Sequence, residues 1–132
     1  MKYIYILVLY CFMFCGSISN INGQIEKYNL SNEDVKWQGT YTGLTPILSG
    51  GAQNIKVLSK EDRILLCKYL NDPNRFVIAH IILTNIEMSK FSTSGSQWNG
   101  LSLSLKSNNH VEYSKDSMNN VKNLWAKYFK NK

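Results

Sequence analysis

Apolar positions recur along this chain with three different periods. Between Tyr3 and Cys15 no charged side chain interrupts the run at all. From Ser59 to Met88 apolar residues return at helical spacing: Ile64, Leu65, Cys67 and Leu70, then Phe76, Val77, Ala79, Ile81, Ile82, Leu83 and Ile86. Leu101, Leu103 and Leu105 alternate with Ser102 and Ser104, the period of a half-buried strand. Met118, Val121, Leu124, Trp125, Tyr128 and Phe129 then form one stripe of an amphipathic helix.

The polar residues between these stretches set the expected boundaries. Ser59 is a helix N-cap, and Glu61 and Asp62 in the first turn complement the helix dipole. Asp72-Pro73 restarts the helical pattern, Asp as cap and Pro at the first helical position. The second helix is apolar nearly all round and is therefore expected to be buried. Trp98 to Lys106 reads as one strand, Ser107-Asn108-Asn109 as a turn and His110 to Tyr113 as the returning strand. Asp116 or Ser117 opens the last helix, and Lys122, Lys127, Lys130 and Lys132 decorate its polar face. Residues 24–34 read as a polar arm, 35–42 as a strand or extended segment, and 45–52, with Pro46, Gly50 and Gly51, as a loop. The expected fold class is α+β: a helical hairpin, a small antiparallel β-sheet with 35–41 as a possible third strand, and a C-terminal amphipathic helix.

The stretch Leu70-Asn71-Asp72-Pro73, followed by Val77, Ala79, Leu83 and Ile86, resembles one unit of a HEAT-type repeat. The resemblance implies a helical hairpin and nothing about activity. Such units bury their faces by stacking, and one unit is present where several are usual. Ile78 also stands where that pattern carries a basic residue.

The opening run changes where the protein is expected to act. Lys2, an apolar stretch of 7–15 residues and then small residues give the layout of a secretory signal peptide. The run is shorter than the roughly 20 residues a membrane span requires. Residues 1–23 are assigned as signal peptide and 24–132 as a single small globular domain, exported to the periplasm or secreted. Membrane attachment would follow only if the segment stayed uncleaved or were lipidated. Phe14 and Tyr10, preceding Cys15 and Cys11, depart from the small residue that a lipoprotein signal requires. Cleavage would leave Cys67 as the sole cysteine, with no intramolecular disulfide to form.

The chain of 132 residues has a net charge of +6. Its Lys and Arg form no run of three and no nucleic-acid-binding motif, so the expected partner is another protein or an envelope component, and nucleic acid is not expected. No His, Cys, Asp and Glu spacing offers a metal site, and no cofactor motif is present. Ser49-Gly50-Gly51 lacks the rest of a phosphate loop. The adjacent carboxylates Glu33-Asp34 and Glu61-Asp62 do not converge; in a helix, neighbours point about 100° apart.

Cys67 and His80 could face each other across the hairpin as thiol and base, but no third group orients them. The enzymatic alternative, thiol-dependent or hydrolytic, rests on that pair. Trp37, Trp98 and Trp125 could line a sugar-stacking platform, although aromatics of small domains more often fill the core. Asn29-Leu30-Ser31 and Asp116-Ser117-Met118 fit short glycosylation acceptors. The leading expectation is a non-enzymatic binding domain, with Arg75 at the helical corner and Lys122, Lys127 and Lys130 as the interaction surface.

Overall fold

The computed structural model describes residues 23–41, 43–91, 97–107 and 111–132. The signal-peptide assignment and His110 fall outside them. The fold is α+β, with three α-helices and three two-stranded antiparallel ribbons among the described residues.

Two helices form the expected hairpin. Helix α1 (Lys60–Tyr69) opens on a capping box: the Ser59 hydroxyl accepts from the Asp62 N–H at 3.0 Å, and the Asp62 carboxylate accepts from the Ser59 N–H at 3.1 Å. It buries Leu66, Cys67 and Tyr69, with Leu70 just beyond. Helix α2 (Phe76–Glu87) buries every residue from Phe76 to Leu83, as its all-round apolarity predicts.

The corner between them differs from the sequence reading. Asp72 and Pro73 do not open α2. Asp72 makes a local turn, its carboxylate accepting from the Asn74 N–H at 2.9 Å, and the helix starts three residues beyond Pro73. Arg75 occupies the N-cap without a side-chain cap bond. The missing cap comes from far away in sequence. Asn32 Oδ1 accepts from the N–H groups of Val77 (3.1 Å) and Ile78 (3.3 Å). Its amide NH2 donates to the Pro73 carbonyl at 2.9 Å, and its backbone N–H donates to the Asn74 carbonyl at 2.7 Å.

Residues 24–34 are therefore not an arm. They form two short 3-10 turns, Ile25–Tyr28 and Asn32–Asp34, whose Ile25 and Leu30 are 0% and 1% exposed. Asp62, 2% exposed, fixes the other end of this segment by accepting from the N–H groups of Gln24 (2.7 Å) and Ile25 (3.0 Å). The segment straps both helices, Asp62 on α1 and the start of α2. Only Ile25, Tyr28 and Leu30 mark it as apolar in sequence, too few for a period.

The stretch 45–52 also departs from its expected loop. Strands β1 (Val35–Thr40) and β2 (Gly43–Leu48) pair in register from Val35 opposite Leu48 to Thr40 opposite Gly43. Pro46 is tolerated because a two-stranded ribbon has two outer edges where its missing N–H leaves no ladder bond broken. This ribbon makes its own sheet and adds no third strand to the downstream hairpin. Gly51 lies in a 3-10 turn (Gly50–Asn54) so close to Tyr28 that a Cβ there would sit 2.1 Å from its ring.

The run Trp98–Lys106 is not one strand. Asn99 and Gly100 both take positive φ, 46° and 85°, folding β3 (Gln97–Trp98) back onto β4 (Leu101–Ser102) in a two-residue turn. Strand β5 (Ser104–Leu105) then pairs with β6 (Val111–Glu112), the return that the sequence places there. Leu101 and Leu103 are buried, whereas Leu105 is exposed.

Helix α3 (Lys115–Lys130) starts ahead of the predicted cap. Ser114 is the N-cap and accepts from the Ser117 N–H at 3.0 Å. The Ser117 hydroxyl instead bridges to β4, accepting from the Ser102 N–H and donating to the Ser102 carbonyl, both at 3.0 Å. Ser117 is thus buried, which removes Asp116-Ser117-Met118 as an exposed acceptor. Val121, Trp125 and Phe129 form the buried stripe.

Two substitutions test this architecture. Asn32→Ala should lower unfolding free energy by about 1–2 kcal/mol in denaturant titration, although Asn32 lies outside α2. Gly100→Ala should cost more than the roughly 1 kcal/mol of αL strain alone. A Cβ there meets Leu124 Cδ1 at 2.3 Å, so the Leu124 side chain on α3 must move to admit it.

Candidate functional site

The sequence-derived candidates divide between a sealed polar centre and open surface grooves. His80 sits on α2 with no exposed surface. Trp125 Nε1–H can only donate, and it donates to His80 Nδ1 at 2.8 Å. The imidazole therefore carries its proton on Nε2, which faces the Asn99 carbonyl at 3.1 Å. Burial lowers the His80 pKa from 6.5 to about 4, against the upward pull of its backbone hydrogen bonds with Asn99 and Trp98. Phe91, Trp98 and Trp125 surround the ring, with centroids at 6.2, 5.5 and 6.0 Å.

Both ring nitrogens are thus committed, and no lone pair remains to take a thiol proton. Cys67 is fully buried on α1 and is disulfide-bonded, so in this structure it is not a free thiol. The structure gives the Cys67–His80 pair no shared hydrogen bond and ties His80 to Trp125 and Asn99.

Asn99 extends the same network. Its side chain accepts from the Phe91 N–H at 2.6 Å and donates to Thr84 Oγ1 at 2.9 Å and Ser89 Oγ at 3.4 Å. The carboxylate pairs are likewise structural. Asp34 accepts from the Ser31 N–H at 2.9 Å while Glu33 faces solvent. Asp62 turns inward to Gln24 and Ile25, whereas Glu61 is exposed, so helix-dipole complementation is not the whole role of Asp62. Among the described residues no group of three metal-ligating side chains converges.

The basic residues named from sequence are not equivalent. Arg75 is clamped at the corner, its guanidinium 4.7 Å from the Tyr69 ring centroid and 3.7 Å from Asp72 Oδ2. Lys122 is half-buried, and Lys127 and Lys130 are exposed. Lys127 lines an open groove of about 520 Å³ with Lys90, Phe91, Leu124, Tyr128 and Lys132. Lys132 pairs there with Glu87, whose other oxygen accepts from Arg63 at 2.8 Å, and the hydrogen bond to Glu87 raises the Lys132 pKa. Among the described residues Lys90 and Lys127 have no ion-pair partner. Sequence reading missed Lys90 because it lies outside the helical pattern, in the stretch after α2.

A second groove of about 550 Å³ lies between the Asn32–Asp34 turn, β1 and β6, with Glu33, Lys36, Trp37, Val111 and Tyr113 on its walls. Trp37 donates to the Tyr113 hydroxyl at 2.6 Å and meets Trp98 edge-on at 6.1 Å. Trp125 is wholly buried and lines no groove. The three tryptophans therefore form no common platform.

Comparison with protein-family models, with curated proteins and with solved structures finds no match to this chain.

The buried imidazole predicts a pH dependence with a definite sign. The folded pKa lies below the unfolded value, so the unfolded chain takes up the proton first. The contribution of His80 is complete above pH 6.5 and is lost as pH falls towards about 4, to a total on the order of 3 kcal/mol. Denaturant titrations between pH 7 and pH 5 should show this slope in the wild type. The slope should shrink in a His80→Gln variant that keeps a hydrogen-bonding side chain without titrating.

Proposed function

We propose that this protein is a small exported, non-enzymatic domain that binds an anionic partner, a protein or an envelope component, through the groove between Phe91 and α3. The observation that carries this reading is the arrangement of Lys90 and Lys127, charged and without ion partners among the described residues, around an apolar floor of Phe91, Leu124 and Tyr128. Such a floor rewards burial of a partner's apolar or aromatic group, at about 25 cal/mol per Å². The lysines select negative charge around it and speed encounter at low salt. The net charge of +6 adds a long-range bias of the same sign.

Export is supported by the layout of residues 1–23. No helix among the described residues is long and apolar enough to cross a membrane. The inward commitment of His80 and Asp62 favours binding over catalysis, since the buried polar groups serve structural hydrogen bonds. The Trp37–Tyr113 groove supports a second reading, a sugar-binding face. That reading requires Trp37 emission to shift when the envelope glycan is added, and a Trp37→Phe variant to lose the shift.

Capture from the host envelope fraction tests the primary reading. The wild type should retain an acidic partner at moderate salt and release it at high salt. Lys90→Glu with Lys127→Glu should reduce capture at least tenfold while leaving the melting temperature within a degree or two, because both side chains are exposed. Equal capture by wild type and double variant would exclude this groove. Arg75→Ala should behave differently, lowering stability by about 0.5–1 kcal/mol through its lost contact with Tyr69.

A further inference from the structure

Asp62 is a buried carboxylate without a cation. It is 2% exposed, and the four ion pairs among the described residues, Arg63–Glu87, Arg75–Asp72, Lys106–Glu112 and Lys132–Glu87, do not include it. Its oxygens are held by three backbone N–H groups, those of Gln24, Ile25 and Ser59. Carboxylates this deeply buried are seldom left without a counter-charge.

The shortest of the three contacts, 2.7 Å, is to the nitrogen of Gln24, the first residue after the expected signal peptide. Gly23 lies directly against the same carboxylate, and a Cβ there would stand 3.2 Å from Asp62 Oδ1. A cavity of about 370 Å³ opens beside it, with Glu26, Glu61 and Asp62 on its walls against one lysine, Lys68. In a basic chain this is a local acidic site, and its Asp62 holds the Gln24 nitrogen.

We propose that the Gly23–Gln24 bond is the processing site and that the α-ammonium of Gln24, created by cleavage, is the counter-ion of Asp62. The inference rests on the export reading above. Hydrolysis by the signal-peptide endopeptidase of the exporting host breaks the Gly23 C–N bond. Water supplies hydroxyl to the Gly23 carbonyl and a proton to the Gln24 nitrogen, which takes a further proton from solvent to become an ammonium. One amide N–H donor becomes three ammonium donors, one of them already on Asp62 Oδ1. The donor to the carboxylate changes from a neutral amide to a cation, so the contact becomes an ion pair and the buried carboxylate gains a counter-charge. Processing then locks the strap 24–34 onto α1, and the mature chain is more stable than its precursor.

The ammonium also protects its own residue. An N-terminal Gln cyclises by attack of its free amine lone pair on the side-chain amide, expelling ammonia. A protonated amine held on Asp62 has no lone pair to attack with, so Gln24 should persist uncyclised.

The test starts from the full chain expressed in its exporting host. Intact-mass and N-terminal peptide analysis should find a chain beginning at an uncyclised Gln24. A chain in which the Gly23–Gln24 bond is intact and Met1 is retained would overturn both this inference and the export reading. A chain cleaved at another bond, or one lighter by a single ammonia, would overturn this inference alone. One Gly inserted between Gly23 and Gln24 moves the ammonium one residue away while leaving the Gln24 amide in place. With the inserted residue confirmed as the new N-terminus, the melting temperature should fall by about 4–8 °C. In an Asp62→Asn background the same insertion should shift it by less than about 2 °C. Equal shifts in the two backgrounds would show that no ion pair forms.

Discussion

The hydrogen-bond relay from Trp125 through His80 to Asn99 is the constraint around which the domain is assembled. It joins α3, α2 and the β3–β4 turn, and it is sealed from water among Phe91, Trp98 and Trp125. Each polar atom in such a place must find a partner, because an unsatisfied one costs about 1–3 kcal/mol. The relay meets that requirement only in one arrangement. The imidazole must be neutral, with its proton on Nε2, and Asn99 must hold a positive φ so that its carbonyl meets the ring. Apolar packing alone would allow α3 to slide or rotate, whereas the directional bonds fix its height and its facing.

A second set of polar contacts does for the N-terminal strap what the relay does for α3. Asp62 and Asn32 each use one side chain to satisfy several backbone groups that helix geometry leaves open. Between them Ile25 and Leu30 enter the core. The strap packs on one side of the hairpin α1–α2, and the relay ties it to α3 on the other.

This economy of polar groups bears on function. Of the residues that look reactive in sequence, His80 and Asp62 are buried and hydrogen-bonded inward, and Asp34 is half-buried with Oδ2 on the Ser31 N–H. What remains outward is charge and aromatic surface: the Lys90–Lys127 groove and the Trp37–Tyr113 groove. The fold thus leaves lysine charge and aromatic edges at the surface while His80 and Asp62 are withdrawn from solvent. Arg75 shows how easily the two roles are confused, since its guanidinium is engaged by Tyr69 and Asp72 before any partner arrives.

The sequence by itself determined the elements whose residues repeat. The helices α1, α2 and α3, the cap at Ser59, the return strand at Val111 and the α+β class all follow from periods of 3.6 or 2, which are local properties of the backbone. The Asn99-Gly100 dipeptide is a hairpin-turn signal, but the reading of Trp98 to Lys106 as one strand does not use it. Only the tertiary structure decided the rest. Asn32 caps a helix 45 residues away, Pro46 sits in a strand because its ribbon has free edges, and Asp62 captures the chain at Gln24. These are pairings between one polar atom and another across space, and a single residue has no period. Hydrophobic pattern therefore selected the pieces, and directional hydrogen bonds between distant residues selected how they meet.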